Sequence, residues 1–290
     1  MTSAKLAAKL AARLGSPVAR SAPAAGGDVH QSFHVWLHDG RELFVKTQRA
    51  SMPRLFPEEA RGLSWLAEAN ALRVPQVLLA CDADDEGPAC LVLRWIERGG
   101  PARDYAQQLG HGLARLHRRG ATGFGLPSNN YLASLHQDNQ PTTHWGTFYA
   151  ERRIAPLAQL AAERGELPVA LQRRIERLLV RIPELVGEAE PPARLHGDLW
   201  SGNVLCDASG APVLIDPAVY GGHREVDLAM MRLFGGFSEA VFDAYQEAWP
   251  LTAGHAERVA LYQLYPLLAH VNLFGAAYLS QVSRCIARWV

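Results

Sequence analysis

Three oxygen-bearing side chains, Asp198, Asn203 and Asp216, fall within the stretch RLHGDLWSGNVLCDASGAPVLIDPAVYGG at 194–222. Two short apolar runs, Val204-Leu205 and Val213-Leu214-Ile215, flank the turn-forming residues Asp207-Ala208-Ser209-Gly210, which predicts a hairpin. Centred between Ser209 and Gly210, that hairpin sets Asn203 opposite Asp216 at its open end, with Asp198 just outside the same end. An amide oxygen beside a carboxylate suits Mg²⁺, a hard cation that takes few protein ligands and completes its octahedron with water and phosphate oxygens. Taken singly, an Asp or Asn near a turn more commonly caps backbone groups. Three at this spacing favour chemistry over capping.

The order His196-x-Asp198, four intervening residues, Asn203, a strand and Asp216 matches the parts used by protein-kinase-like phosphotransferases. In that arrangement Asp198 orients a substrate hydroxyl and accepts its proton, while Asn203 and Asp216 hold the metal. Such a centre needs a nucleotide-binding element upstream. Alternation of Phe33, Val35 and Leu37, a His38-Asp39-Gly40 turn and the run Leu43-Phe44-Val45 predict a second hairpin over 29–45. Gly26-Gly27 lies just ahead of it, either an ordinary turn or a place where backbone N–H groups approach phosphates; there is no GxGxxG. Lys46 ends the apolar run, where its ammonium could meet those phosphates. Pro57 can open a helix in which Glu59 shares a face with Leu63 and Leu66. Glu59 is therefore preferred over Glu58, which shares a face with Gly62 and Trp65, as the carboxylate that holds Lys46 extended. Strands at 77–80 and 89–93 precede a linker, Trp95-Ile96-Glu97-Arg98-Gly99-Gly100, where the backbone of Trp95 and Ile96 would bind adenine. The expected fold is α+β and two-lobed, protein-kinase-like: a small β-rich nucleotide-binding lobe at 1–95 and a mainly helical catalytic and substrate-binding lobe at 96–290.

Helical periodicity marks 105–118, 148–164, 169–185, 225–234, 238–248 and 257–288, the last apart from its Pro266. The segments 16–27 and 122–147 read as a connection and a long loop; loops of the latter length are uncommon without a task. A length of 290 residues suits two lobes, and 48% hydrophobic residues supply a core. Lys plus Arg balances Asp plus Glu at 29 each, so there is neither a basic field for nucleic acid nor an acidic excess. Cys81, Cys90, Cys206 and Cys285 show no CxxC spacing, which argues against zinc or a disulfide framework and fits a reducing cytoplasm. Lys5, Lys9 and Arg13 interrupt the apolar residues of the first fifteen, giving an amphipathic helix that packs on the core or caps the surface rather than a signal peptide. The late apolar segment 261–282 carries Gln263, Pro266, His270 and Asn272, each costly in hydrocarbon, so it reads as buried helix and not as a membrane span.

Read together, these residues make the chain resemble the fructosamine 3-kinase (ketosamine 3-kinase) family. The resemblance is carried by HGDLWSGN at 196–203, Ile215-Asp216-Pro217-Ala218, Tyr220-Gly221, REVDLAM at 224–230 and Tyr262-Gln263-Leu264-Tyr265. The HGD, Asn and Asp set is shared with aminoglycoside phosphotransferases and choline kinases; Trp200, and Asp-Pro in place of Asp-Phe-Gly, narrow it. The resemblance implies ATP- and Mg²⁺-dependent phosphorylation of the C3 hydroxyl of ribulosamine or fructosamine adducts, on small amines or protein lysines. The resulting ester decomposes and frees the amine. It also implies Asp198 as base, Asn203 and Asp216 on Mg²⁺, Lys46 on the phosphates and Glu59 holding Lys46. His196 and Asp227 become supports of the catalytic loop. Trp200 either stacks on the sugar or supports the loop, Tyr220 lines the acceptor pocket, and His223 and Arg224 either line it too or neutralise nearby carboxylates. An aminoglycoside kinase would line that pocket with carboxylates, whereas the residues after Asp216 are mixed. A non-catalytic nucleotide-binding module is disfavoured because every group needed for transfer is present.

Overall fold

The computed structural model describes residues 3–24, 30–48 and 52–290. In chain order these form α1 (Ala4–Leu14), β1 (Val18–Pro23), β2 (Gln31–Leu37), β3 (Glu42–Thr47), α2 (Leu55–Ala67), β4 (Val77–Cys81), β5 (Cys90–Arg94) and α3 (Tyr105–Arg119). Next come β6 (Asn130–Leu132), β7 (Leu135–Gln137), α4 (Trp145–Phe148), a π-helical segment (Tyr149–Ile154), α5 (Ala155–Glu163) and α6 (Val169–Leu185). The chain ends with β8 (Ala193–Leu195), β9 (Val204–Cys206), β10 (Pro212–Leu214), β11 (Tyr220–Gly222), α7 (Glu225–Leu233), α8 (Glu239–Ala248), α9 (His255–Phe274) and α10 (Leu279–Ile286). Two units result: Met1–Arg103 with Leu205–Asp216, and Asp104–Val204 with Pro217–Val290. Among the described residues no helix is long and apolar enough to cross a membrane.

The first unit is built on a five-stranded antiparallel sheet of order β1-β2-β3-β5-β4. Alternate residues of β2, Phe33, Val35 and Leu37, are buried with Leu43, Val45, Cys90 and Val92 against Leu6 and Leu10 of α1, the period-two pattern of a strand with one covered face. Ser3 caps α1 by accepting the Leu6 N–H at 3.2 Å, and Gly15 closes it at φ 74°. Lys9 is drawn into this packing. Its buried Nζ donates to Asp84 Oδ1 at 2.8 Å and to the carbonyls of Asp82, Gly87 and Pro88 at 3.3 Å, tying α1 to the β4–β5 turn. The segment expected as a connection at 16–27 contains β1, which pairs with β2 from Val18 to Pro23. Its residues are half-buried or exposed, so it carries no apolar alternation to reveal it.

The β9–β10 hairpin is clasped by Asp207, whose Oδ1 accepts from Ser209 N and Oγ and from Ala211 N, and whose Oδ2 accepts from Arg73 at 2.5 Å. The Asp207 N–H reaches the Ala211 carbonyl at 3.0 Å, so opposed positions at the tip sum to one less than the expected register. Asp207 occupies the turn as a cap rather than as a plain loop residue, and that moves the pairing by one.

In the second unit, α5, α6, α9 and α10 enclose an apolar core with Phe148, Tyr149 and Ile154 of the α4 and π-helical run. α9 continues through Pro266 and stops at Gly275, whereas the sequence places the interruption at the proline. The expected loop at 122–147 contains the β6–β7 hairpin. Polar amides hold it: Asn130 Nδ2 donates to the Val219 carbonyl at 2.8 Å, and Gln137 Nε2 to Asn130 Oδ1 at 2.8 Å and to the Ala218 carbonyl at 3.1 Å.

Candidate active site

Two clusters carry the expected chemistry, one in each unit. In the first, Lys46 is the penultimate residue of β3 and pairs in register with Ser32 and Leu91. Its Nζ donates to Glu59 Oε1 of α2 at 2.8 Å and to Asp216 Oδ1 at 2.6 Å, and its side chain is only 3% exposed. Glu58, the competing carboxylate, is engaged by Arg54 and Arg61 at 2.9 Å. Burial opposes the charge on Lys46, but the charges of Asp216 and Glu59 outweigh it and raise the ammonium above its ordinary range. Burial, and the neighbouring charge of Asp216, push the Glu59 carboxyl up despite Lys46. One ammonium cannot offset two carboxylates. Asp216 itself sits at φ 54°, in the left-handed region that a non-glycine residue seldom adopts away from functional positions.

The face of the sheet that carries Lys46 is aromatic, and periodicity gave no notice of it. His34 and Trp36 lie opposite Phe44 and Glu42. The His34 ring stacks on Trp95 at 3.5 Å between centroids and lies 3.6 Å from Trp36, while Arg20 covers Trp36 at 3.7 Å. Trp95 donates its N–H to the Glu42 carbonyl at 3.0 Å, and Ile96 is buried. His30, ring-packed on Phe56, has a buried Nδ1 with no hydrogen-bond partner. Burial, then the charge of Lys46, lower its pKa against the opposing pull of Asp216. Gly26 and Gly27, the candidates for phosphate contact, lie outside the described residues.

In the second unit β8 delivers His196-Gly197-Asp198. Gly197 has φ 83°, and a Cβ there would run into the Ala218 carbonyl, so only glycine lets the loop pass. Fully buried Asp227, at the start of α7, accepts the N–H of His196 at 2.8 Å and of Gly197 at 2.9 Å. It also meets His117 Nε2 at 3.2 Å, whose Nδ1 contacts Tyr245 Oη at 2.8 Å. Burial works to raise the Asp227 pKa, yet the hydrogen bond and charge of His117 prevail and hold it below the ordinary carboxylate value. His117 and Tyr245 were not legible in advance; they come from α3 and α8, far from the motif in sequence.

Asn203 donates Nδ2 to the Asp198 carbonyl at 2.8 Å and to Asp198 Oδ2 at 3.0 Å, which fixes the carboxylate and leaves the amide oxygen as the other polar atom of Asn203. Trp200 is 40% exposed, with its ring laid over Gly202, where a Cβ would collide with it. Tyr220, His223 and Arg224 are all buried. Arg224 forks onto both oxygens of Glu190 at 2.7 and 2.8 Å, donates to the carbonyls of Trp249 and Pro250, and stacks on the Trp249 ring. Beneath Tyr220 lies Arg153 of the π-helical segment, fully buried, 3.9 Å from the ring centroid and bonded to the Asp138 carbonyl and Asn139 Oδ1 at 2.6 Å.

The donor chemistry fits a divalent cation. Within the first unit the Lys46, Glu59 and Asp216 group carries one negative charge in excess when all three are ionised; within the second, Asn203 binds Asp198 through its amide nitrogen, which leaves its amide oxygen as a ligand atom.

Known proteins share both the sequence and the fold. The family model described as fructosamine kinase matches residues 2–290. A probable ketoamine kinase of Enterococcus faecium is 40% identical, with 91% of this chain and 93% of that protein covered. A chloroplastic protein-ribulosamine 3-kinase of Arabidopsis thaliana is 35% identical, with 90% of this chain and 79% of that protein covered. The crystal structure of a candidate fructosamine-3-kinase from Thermobifida fusca superposes with a TM-score of 0.88 at 41% identity, covering 98% of both chains. The fold extends to a choline/ethanolamine kinase family protein from Mesorhizobium loti, at 18% identity, a TM-score of 0.59 and coverage of 98% and 92%. The fold is thus the α+β protein-kinase-like one, and by full-length sequence match, by structure and by its HGDLWSGN loop the chain belongs to the fructosamine kinase family.

Proposed function

We propose that this protein is an ATP-dependent ketosamine 3-kinase, which phosphorylates the C3 hydroxyl of ribulosamine or fructosamine adducts on small amines or protein lysines. The observation that carries this proposal is the buried Lys46 ammonium held by Glu59 and Asp216, an arrangement suited to presenting a fixed positive charge to nucleotide phosphates. Relatives that bear the names ketoamine kinase and protein-ribulosamine 3-kinase support the choice of acceptor.

In the proposed reaction Asp198 accepts a hydrogen bond from the C3 hydroxyl and takes its proton as the oxygen attacks the γ-phosphorus. The bond from that phosphorus to the β,γ-bridging oxygen breaks and ADP departs. Asn203 pins Asp198 so that its carboxylate need not reorganise. Asn203 and Asp216 are assigned as Mg²⁺ ligands; a bound ion supplies charge neutralisation on the phosphate oxygens. Trp95 and Ile96 are assigned to adenine, Trp95 through its carbonyl because its N–H is committed to Glu42. Gly26 and Gly27 remain assigned to the phosphates. Exposed Trp200 is the acceptor-facing candidate, stacking on the sugar. Buried Arg224 is assigned a supporting role, since its donors are occupied by Glu190 and two carbonyls, while Tyr220 and His223 remain assigned to the acceptor pocket.

The test is incubation with ATP, Mg²⁺ and ribulosamine or fructosamine adducts of a small amine and of a protein, with ADP release and recovery of free amine both followed. Turnover on both readouts is expected. Phosphorylation of an aminoglycoside or choline, with none of any ketosamine, would overturn the assignment.

A further inference from the structure

Cys81 closes β4 and Cys90 opens β5, and the two are direct cross-strand partners. Both are free thiols, and their sulfurs lie 3.5 Å apart. Directly opposed residues of antiparallel strands have the Cα spacing that a disulfide requires, so bond formation needs only that the sulfurs close to roughly 2.05 Å by side-chain rotation. Cys90 is fully buried, whereas Cys81 is partly exposed, so solvent reaches one sulfur of the pair. The buried Lys9 ammonium, already tied to the turn joining the two strands, bears electrostatically on Cys81.

The geometry points to Cys81 and Cys90 as an oxidation site, a peroxide-reactive thiol with its own resolving partner, which closes an intramolecular disulfide across β4 and β5. The hydrogen bond shared with Cys90, followed by the charge of Lys9, outweighs burial and holds the Cys81 thiol down to about 6, whereas Cys90 is pushed up by the same contact and by burial. Cys81 is therefore the attacking sulfur. Its thiolate attacks one oxygen of hydrogen peroxide, the O–O bond breaks, and the departing hydroxide takes up a proton to become water. The Cys81 sulfenic acid is then attacked by the Cys90 sulfur; the S–O bond breaks, the hydroxyl leaves with the Cys90 proton as a second water, and the S–S bond forms. Two thiols supply the two electrons that reduce one peroxide. The product staples the edge strand β4 to β5 beside the ladder that holds Lys46, since Thr47 pairs with Cys90 and Lys46 with Leu91. The site is independent of the acceptor that the kinase uses.

The native protein is treated with hydrogen peroxide, quenched with catalase, denatured, alkylated with N-ethylmaleimide and digested with trypsin. Residues 74–94 form one tryptic peptide containing both cysteines. It is expected without alkylation and lighter than the dithiol form by two hydrogens, while Cys206 and Cys285 are alkylated and a reducing agent restores both thiols. In Cys90→Ser the resolving thiol is missing, so dimedone should trap the sulfenic acid on Cys81. Full alkylation of that peptide after peroxide, a bond between two chains, a pairing with Cys206 or Cys285, or an absence of dimedone adduct in the variant would overturn the assignment.

Discussion

Lys46 shares one ammonium between Glu59 and Asp216, and Asp198 shares one carboxylate with the Asn203 amide. In both, a group that the proposed reaction uses is held by another side chain, which would lower the entropy lost on reaching the reactive geometry. The two clusters separate on mutation. Asp198→Asn keeps the shape but removes the proposed proton acceptor, so kcat should fall by about 10²–10⁴ while nucleotide affinity, measured by titration with a fluorescent ATP analogue, is retained. A near-normal kcat would remove Asp198 as base. Trp200 is tested through its neighbour: Gly202→Ala places a methyl where the ring lies and must displace it. If the ring stacks on sugar, KM for the ketosamine rises by about tenfold, equivalent to ~1.4 kcal/mol, with KM for ATP unchanged. Equal changes in both constants would favour a role confined to loop support.

At the scale of elements, the β9–β10 hairpin shows what could be read ahead of time and what could not. Its existence was plain from Val204-Leu205, Val213-Leu214 and the intervening turn residues, but its register was set by a side chain, Asp207, that periodicity does not weigh. The Asp207 pKa is lowered to about 2, chiefly by the Ser209 hydroxyl and further by the Ala211 and Ser209 amides and Arg73, against burial. Since the folded value lies below the unfolded one, this stabilisation is complete above the ordinary Asp range and is lost as pH falls from about 4 toward 2. Asp207→Asn should cost about 1 kcal/mol at neutral pH and flatten the acid limb of a pH-dependent melting curve; an unchanged limb would show that the clasp carries no linkage. The β6–β7 hairpin was missed for a related reason. It is held by Asn130, Gln137 and Asn139, whose polarity resembles that of a loop. At Pro266 the error ran the other way: local propensity predicts a break, and packing of Leu264, Tyr265, Leu267 and Leu268 in the core overrides it.

For the whole molecule, the balanced charge and the amphipathic first helix were legible, but the burial of Lys9 was not, because its partners are three backbone carbonyls and Asp84 more than seventy residues away. α1 is therefore integral to the first unit. Lys9→Met should keep the apolar stem yet leave those acceptors without their donor, costing about 2–4 kcal/mol. The check is a melting midpoint several degrees below that of the parent, and an unchanged midpoint would reduce Lys9 to a bystander.

The first unit is discontinuous in sequence: Arg73 and Lys46 bond to Asp207 and Asp216, which are encoded only after the whole of residues 104–204. During synthesis Lys46 emerges soon before Glu59 but long before Asp216, so the second of its two counter-ions arrives only after residues 104–204 have been made. A transcript truncated between codons 60 and 215 would yield a chain whose Lys46 lacks one of its two counter-ions, and faster proteolysis of that chain than of the full-length protein is the expected consequence.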